Sequence, residues 1–166
     1  MCTSNYKQLL IATAVMAASS SLGAAEKADH VVIVKSTKTL TLYKGEHVLG
    51  TYTVAFGAKP VGPKQQEGDE RTPEGHYMLD FKKADSAFHK AIHISYPNPQ
   101  DIENAHKLGV SPGGAIMVHG QSNHARWPSY IAQLFNWTNG CVALTNEDMD
   151  AVWQAVDAGT PIEIKP

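Results

Sequence analysis

From residue 29 onward this chain is a succession of short runs rich in β-branched residues, each cut by turn-forming residues before it reaches helical length. That pattern restricts the fold to one built on a sheet. Residues 29–35 form a β-branched run, residues 39–43 alternate polar and apolar, and Ser36-Thr37-Lys38 and Lys44-Gly45-Glu46 turn the chain into residues 47–55. Further strands are expected at 76–81, 91–96, 115–119, 141–144 and 160–164. Helical composition is confined to 100–108, which ends at Gly109, to a short stretch at 129–135, and to a helix capped by Thr145 or Asn146. In that last helix Met149, Val152, Trp153 and Val156 recur at helical spacing, so one face packs on the sheet. Between these elements, residues 56–75 carry Pro60, Gly62, Pro63, Gly68, Pro73 and Gly75, a loop of a length that tends to be functional or mobile.

The N-terminus reads differently. Lys7 precedes an apolar run at 9–18 and then Ser19-Ser20-Ser21-Leu22-Gly23-Ala24-Ala25, the layout of a secretory signal peptide cleaved after Ala25. The run falls short of the ~20 apolar residues that span a bilayer. The expected organisation is a signal peptide at 1–25 and a single domain at 26–166, exported to the periplasm without a membrane anchor once the signal is removed. A net charge of −2 with no Lys/Arg cluster gives no reason to expect nucleic acid as a partner.

Of the two cysteines, removal of the signal leaves only Cys141. An unpaired thiol in an oxidising compartment is exposed to oxidation, which makes Cys141 a candidate nucleophile, although free cysteine also packs as a small core hydrophobe. His119 ends the apolar run Ala115-Ile116-Met117-Val118, and pairing that run with the Cys141 strand would bring imidazole and thiol within reach. Gly140 allows close backbone approach, and the Gly140 and Cys141 N–H groups are candidate oxyanion donors, beside Asn139. The Gly120 carbonyl can accept from the second imidazole nitrogen, with Asp80 or Asp101 as alternatives if the fold brings them near. Trp127, Tyr130, Phe135 and Trp137 either line a groove or form core beneath a loop. Eight histidines are many, yet no CxxC, HExxH or paired-histidine spacing suits zinc. No metal or cofactor is expected.

Three motifs, Thr72-Pro73-Glu74-Gly75, His119-Gly120 and Thr138-Asn139-Gly140-Cys141, occur in an order that resembles the L,D-transpeptidase catalytic domain of bacterial cell-wall enzymes, the YkuD-like fold. The resemblance runs from about residue 29 to residue 164. It implies a mainly β fold with small helices, a β-sandwich of mixed sheets. It also implies Cys141 as acyl-enzyme nucleophile, His119 as its base, the Gly120 carbonyl as third member, and peptidoglycan stem peptides as substrate, with Trp127, Trp137 and Thr138 as candidate substrate contacts. Two positions depart from the usual pattern: Asn139 stands where a histidine is usual, and Ala143 where an arginine is common. Such departures leave open a hydrolytic L,D-carboxypeptidase or endopeptidase, or a non-catalytic wall-binding module. The gap from His119 to Thr138 implies a modified lid. Oligomeric state is not encoded in any pattern of this kind.

Overall fold

The computed structural model describes residues 26–166, so the expected signal peptide at 1–25 lies outside the described residues. Strands β1 (His30–Val34), β2 (Thr39–Lys44) and β3 (His47–Thr53) form an antiparallel meander. Alternation decides which side chains go inward: Val31, Ile33, Leu40 and Leu42 are buried, while the intervening residues face outward. The β2–β3 turn is made possible by Gly45 at φ +56°.

Strands β4 (Gly75–Lys83), β5 (Ala91–Ile94), β6 (Met117–His119), β7 (Val142–Ala143) and β8 (Thr160–Lys165) complete one eight-stranded mixed sheet of order β3-β2-β1-β8-β4-β5-β6-β7. The final strand β8 inserts between β1, to which it is parallel, and β4, to which it is antiparallel. The sheet then curls until its ends meet. Beyond β3, Ala55 exchanges both backbone hydrogen bonds with Ala143 at 2.9 and 2.8 Å, and Gly57 bridges to Thr138. The mainly β fold with small helices is therefore as expected, and its layers belong to one continuous curled sheet. Phe56, Leu79, Ile92, Ile94, Leu144, Met149 and Ile162 are fully buried within the curl. Each such side chain stabilises the fold by roughly 1.5–3 kcal/mol.

Three helices sit at the margins. Helix α1 (Pro99–Lys107) opens with a capping box between Asn98 and Asp101 and has Pro99 at its first turn, where a missing N–H costs nothing. Helix α2 is the short Ser129–Ala132. In α3 (Asn146–Ala155) the cap is Thr145, whose hydroxyl accepts from the Asp148 N–H at 3.1 Å, and Met149 and Val152 are the buried face. Trp153 is only partly buried and lies beneath the Lys82 ammonium at 4.4 Å.

The 56–75 loop is held in shape by two buried lysines. Lys35, just past β1 and 6% exposed, donates to the Gly62 carbonyl at 2.7 Å, the Thr72 carbonyl at 3.2 Å and Glu74 at 2.7 Å. Lys64 donates to the Gln66 carbonyl and to Asp69, both at 2.9 Å. Asp69 in turn accepts the Gln65, Gln66 and Arg71 N–H groups, and these bonds hold its carboxyl below the usual range against the opposing cost of burial. A loop held to β1 by the buried Lys35 and braced internally by the Lys64–Asp69 pair is a fixed part of the fold. Removing one partner of such a pair leaves an uncompensated buried charge. Lys35→Ala should therefore lower unfolding stability by about 3 kcal/mol in urea titration and open residues 56–75 to limited proteolysis.

Candidate active site

The pairing of β6 with β7 is parallel, with Val118 opposite Val142 and His119 opposite Ala143. Val118 and Val142 point into the core and are fully buried. By alternation His119, and Cys141 one residue before β7, project from the opposite face. Cys141 was expected inside a strand; β7 is only two residues long, and the thiol stands at its entrance, partly exposed.

His119 is buried, and its Nδ1 lies 2.6 Å from the Gly120 carbonyl. A carbonyl only accepts, so Nδ1 carries the proton and Nε2 keeps its lone pair. Asp80 instead pairs with His93 at 2.7 Å, and Asp101 is taken by Tyr77 and by the α1 cap. The imidazole packs against Phe88 and Trp137, with ring centroids 4.3 and 5.8 Å away. Burial pushes its pKa down from the ordinary 6.5, against the Gly120 bond, which favours the charged form.

The Cys141 sulfur accepts the Met117 N–H at 3.4 Å, and its S–H points at the Ala115 carbonyl at 3.7 Å. Burial pushes the thiol up from 9.0, opposed by the Met117 N–H and by the charge of Lys64. Desolvation thus disfavours both ions, and the resting pair is neutral thiol and neutral imidazole.

The backbone leading to the thiol is set by Thr138. Its hydroxyl donates to the Cys141 carbonyl at 2.7 Å and accepts from the Gly140 N–H at 3.1 Å. Two expectations change here. The Gly140 N–H is occupied, while the Cys141 N–H has no partner among the described residues and remains the candidate oxyanion donor of this turn. Thr138 itself is buried with its hydroxyl committed internally, so it shapes the turn and does not face substrate. Gly140 sits at φ +125°, and a Cβ there would meet the Arg71 carbonyl at 2.6 Å. Thr72 hydrogen-bonds the Gly57 N–H at 3.3 Å, so the Thr72-Pro73-Glu74-Gly75 turn packs behind the nucleophile loop.

Two clefts flank this loop. One, about 450 Å³, is polar and includes the exposed Asn139 with Lys64, Glu67, Glu70 and Gly113. The other, about 540 Å³, is walled by Trp127, Trp137, Ile131 and Phe135. Trp127, Tyr130 and Phe135 are 71%, 69% and 64% exposed, so these aromatics form a surface and not a core. Sequence reasoning missed Phe88, which lies in a polar stretch without periodicity, and Asn146, whose side chain reaches back to Gln121. No group of three His, Cys, Asp or Glu suited to a metal occurs among the described residues.

The family model for the L,D-transpeptidase catalytic domain, YkuD, matches residues 28–164. A protein of Escherichia coli named, as a provisional assignment, L,D-transpeptidase YafK is 32% identical over 133 residues, covering 76% of this chain and 46% of the relative. The chain spans about half the length of the curated relatives it matches. Among solved structures, Pgp2 of Campylobacter jejuni, a helical cell shape determining protein, aligns with a TM-score of 0.58 at 24% identity over 85% of this chain and 49% of Pgp2. An L,D-transpeptidase from Mycobacterium smegmatis aligns with a TM-score of 0.55 at 17% identity over 84% of this chain and 59% of its own. At these identities the structural likeness concerns the fold.

The two displaced pKa values predict the pH behaviour of the site. Iodoacetamide modification of Cys141 should be slow near neutrality and still be rising with pH at 9.0, where an ordinary thiol is already half ionised. His119 has a folded pKa below its unfolded 6.5, so the unfolded chain takes up the proton first as pH falls. Its contribution to stability is present above pH 6.5 and is lost as pH drops through the folded value. Urea midpoints measured from pH 7.5 downward should fall in that window, and less so for His119→Asn.

Proposed function

The chain belongs to the L,D-transpeptidase catalytic-domain family, and on that premise we propose that it is a periplasmic cysteine acyl-transfer enzyme acting on peptidoglycan stem peptides. The observation that carries this reading is that the β6–β7 pairing places His119 and Cys141 on the same face by alternation, with His119 Nδ1 held by the Gly120 carbonyl at 2.6 Å. In the acylation step Cys141 Sγ attacks the carbonyl carbon of the L-centre while its proton passes to His119 Nε2. The carbonyl oxygen, now negative, accepts from the Cys141 N–H. Collapse of the tetrahedral intermediate breaks the C–N bond, and the departing amine of the D-residue takes the proton from His119. A thioester remains. An acceptor amine then attacks it, giving a proton to His119 that returns to the sulfur. Burial disfavours both a free thiolate and a free imidazolium, which suits proton transfer during the attack.

Hydrolysis on the same site is the second reading, and Ala143 favours it. Its side chain is fully buried and its backbone is bonded both ways to Ala55, so no cation stands at this position to hold a substrate carboxylate. Water in place of the amine makes the same chemistry a carboxypeptidase or endopeptidase. The name of Pgp2 concerns cell shape, which fits an enzyme that trims or links wall peptides, and the signal-like N-terminus supports action in the periplasm.

Incubating the protein with peptidoglycan and isolated muropeptides, then weighing the products, tests both readings. New L,D cross-links or exchanged terminal D-residues are the expected outcome for transfer, and shortened stems without new links for hydrolysis. Unchanged substrates, even with added D-amino-acid acceptor, would overturn both in favour of a wall-binding module.

A further inference from the structure

Gly120 and Gln121 share one peptide group, and both of its polar atoms are engaged. Its carbonyl accepts from His119 Nδ1 at 2.6 Å, and its N–H donates to Asn146 Oδ1 at 2.8 Å. A backbone N–H only donates, so the amide oxygen of Asn146 faces it. Asn146 is free for this contact because Thr145, and not Asn146, caps α3. Around the same peptide, the Gly120 N–H donates to the His89 carbonyl at 3.0 Å and Gln121 Nε2 to the Leu144 carbonyl at 2.7 Å. The fit is close: a Cβ on Gly120 would meet the His89 carbonyl at 2.6 Å and Asn146 Oδ1 at 2.8 Å.

We propose that Asn146 is a positioning residue for His119, acting through the Gly120–Gln121 peptide to fix the imidazole tautomer that leaves Nε2 unprotonated. Accepting from the N–H polarises the peptide and strengthens its carbonyl as an acceptor, since hydrogen bonds in series reinforce one another. Without Asn146 Oδ1 the peptide can rotate, the 2.6 Å bond lengthens, and the ring is no longer confined to one orientation. At metal-bound histidines, partners that fix the ring's tautomer and orientation are worth roughly 10–100-fold in affinity or activity, and the same scale is expected at His119. The proposal rests on His119 being the base of the proposed acyl transfer only for its kinetic consequence; the orientation itself is read without substrate.

The experiment is ¹⁵N NMR of the histidine rings in the full chain, with His119 assigned by comparison with His119→Asn. Among the ionisable groups around the peptide are His89 and Lys90, whose backbone carbonyls accept from the Gly120 N–H and whose side chains both lie 2.7 Å from Asp150 of α3. All variants keep these groups, so differences are referred to the parent protein. The parent should show His119 in a single Nδ1–H tautomer. Asn146→Ala should show a mixture of tautomers and, if the chain turns over muropeptides, a loss of roughly 10–100-fold in kcat/KM. Asn146→Asp retains the acceptor and adds a negative charge, so it should keep the single tautomer and move the His119 titration midpoint upward by about half a unit or more. This second variant guards against a folding defect in the first. An unchanged tautomer in Asn146→Ala, or an unmoved midpoint in Asn146→Asp, overturns the proposal. A mixture of tautomers in a protein without turnover would uphold the positioning role while counting against the enzymatic reading.

Discussion

A two-residue parallel pairing, Val118 with Val142 and His119 with Ala143, is the contact on which the site depends. Parallel strands of this kind cannot be joined by a tight turn. The chain leaves β6, runs through the aromatic segment and α2, and re-enters at the Thr138 turn before β7 can pair. Burial of Val118 and Val142 fixes the register, because a slip of β6 by one residue would turn Val118 to solvent and send His119 into the core. Core packing and site geometry are thus one constraint. The closing bridge from Ala55 to Ala143 holds β7 from its other side.

Electrostatics follow from that placement. His119 is packed between Phe88 and Trp137, and the Cys141 thiol is largely shielded beside the Ala115–Met117 backbone, so desolvation outweighs the interactions that would charge either group. The positive charge nearest in effect to the thiol, Lys64, is itself paired with Asp69 inside the 56–75 loop. That loop is a buttress: Lys35 and Lys64 tie it down, and its Arg71 carbonyl lies against Gly140. A neutral, pre-oriented thiol and imidazole suit a nucleophile that is generated only as it attacks.

Much of this was legible in the residues. The opening hairpins, α1 ending near Gly109, α3 with its cap and buried face and the order of strands along the chain follow from local periodicity and turn chemistry, which the sequence states directly. Cys141, His119 and Gly120 were recognisable by residue type and context. What local pattern does not contain is which distant segment supplies a partner. Nothing local marks Lys35, at the end of the first strand run, or Lys64, in the long loop, as buried; Glu74 and Asp69 neutralise them from elsewhere in the chain. Phe88 sits among polar neighbours and reveals its place only against His119. The Gly140 N–H is denied to a substrate by the Thr138 hydroxyl, a bond that depends on the turn's three-dimensional shape. The insertion of β8 between β1 and β4 likewise depends on pairing across the whole chain.

The most direct test of the account is the intact mass of the protein, quenched soon after mixing with a muropeptide tetrapeptide donor. A thioester mechanism predicts an increment equal to the donor less its terminal D-residue, mapped to Cys141 and absent from Cys141→Ala. Turnover of the donor by Cys141→Ala, or turnover by the parent protein with the acyl group on another residue, would contradict it.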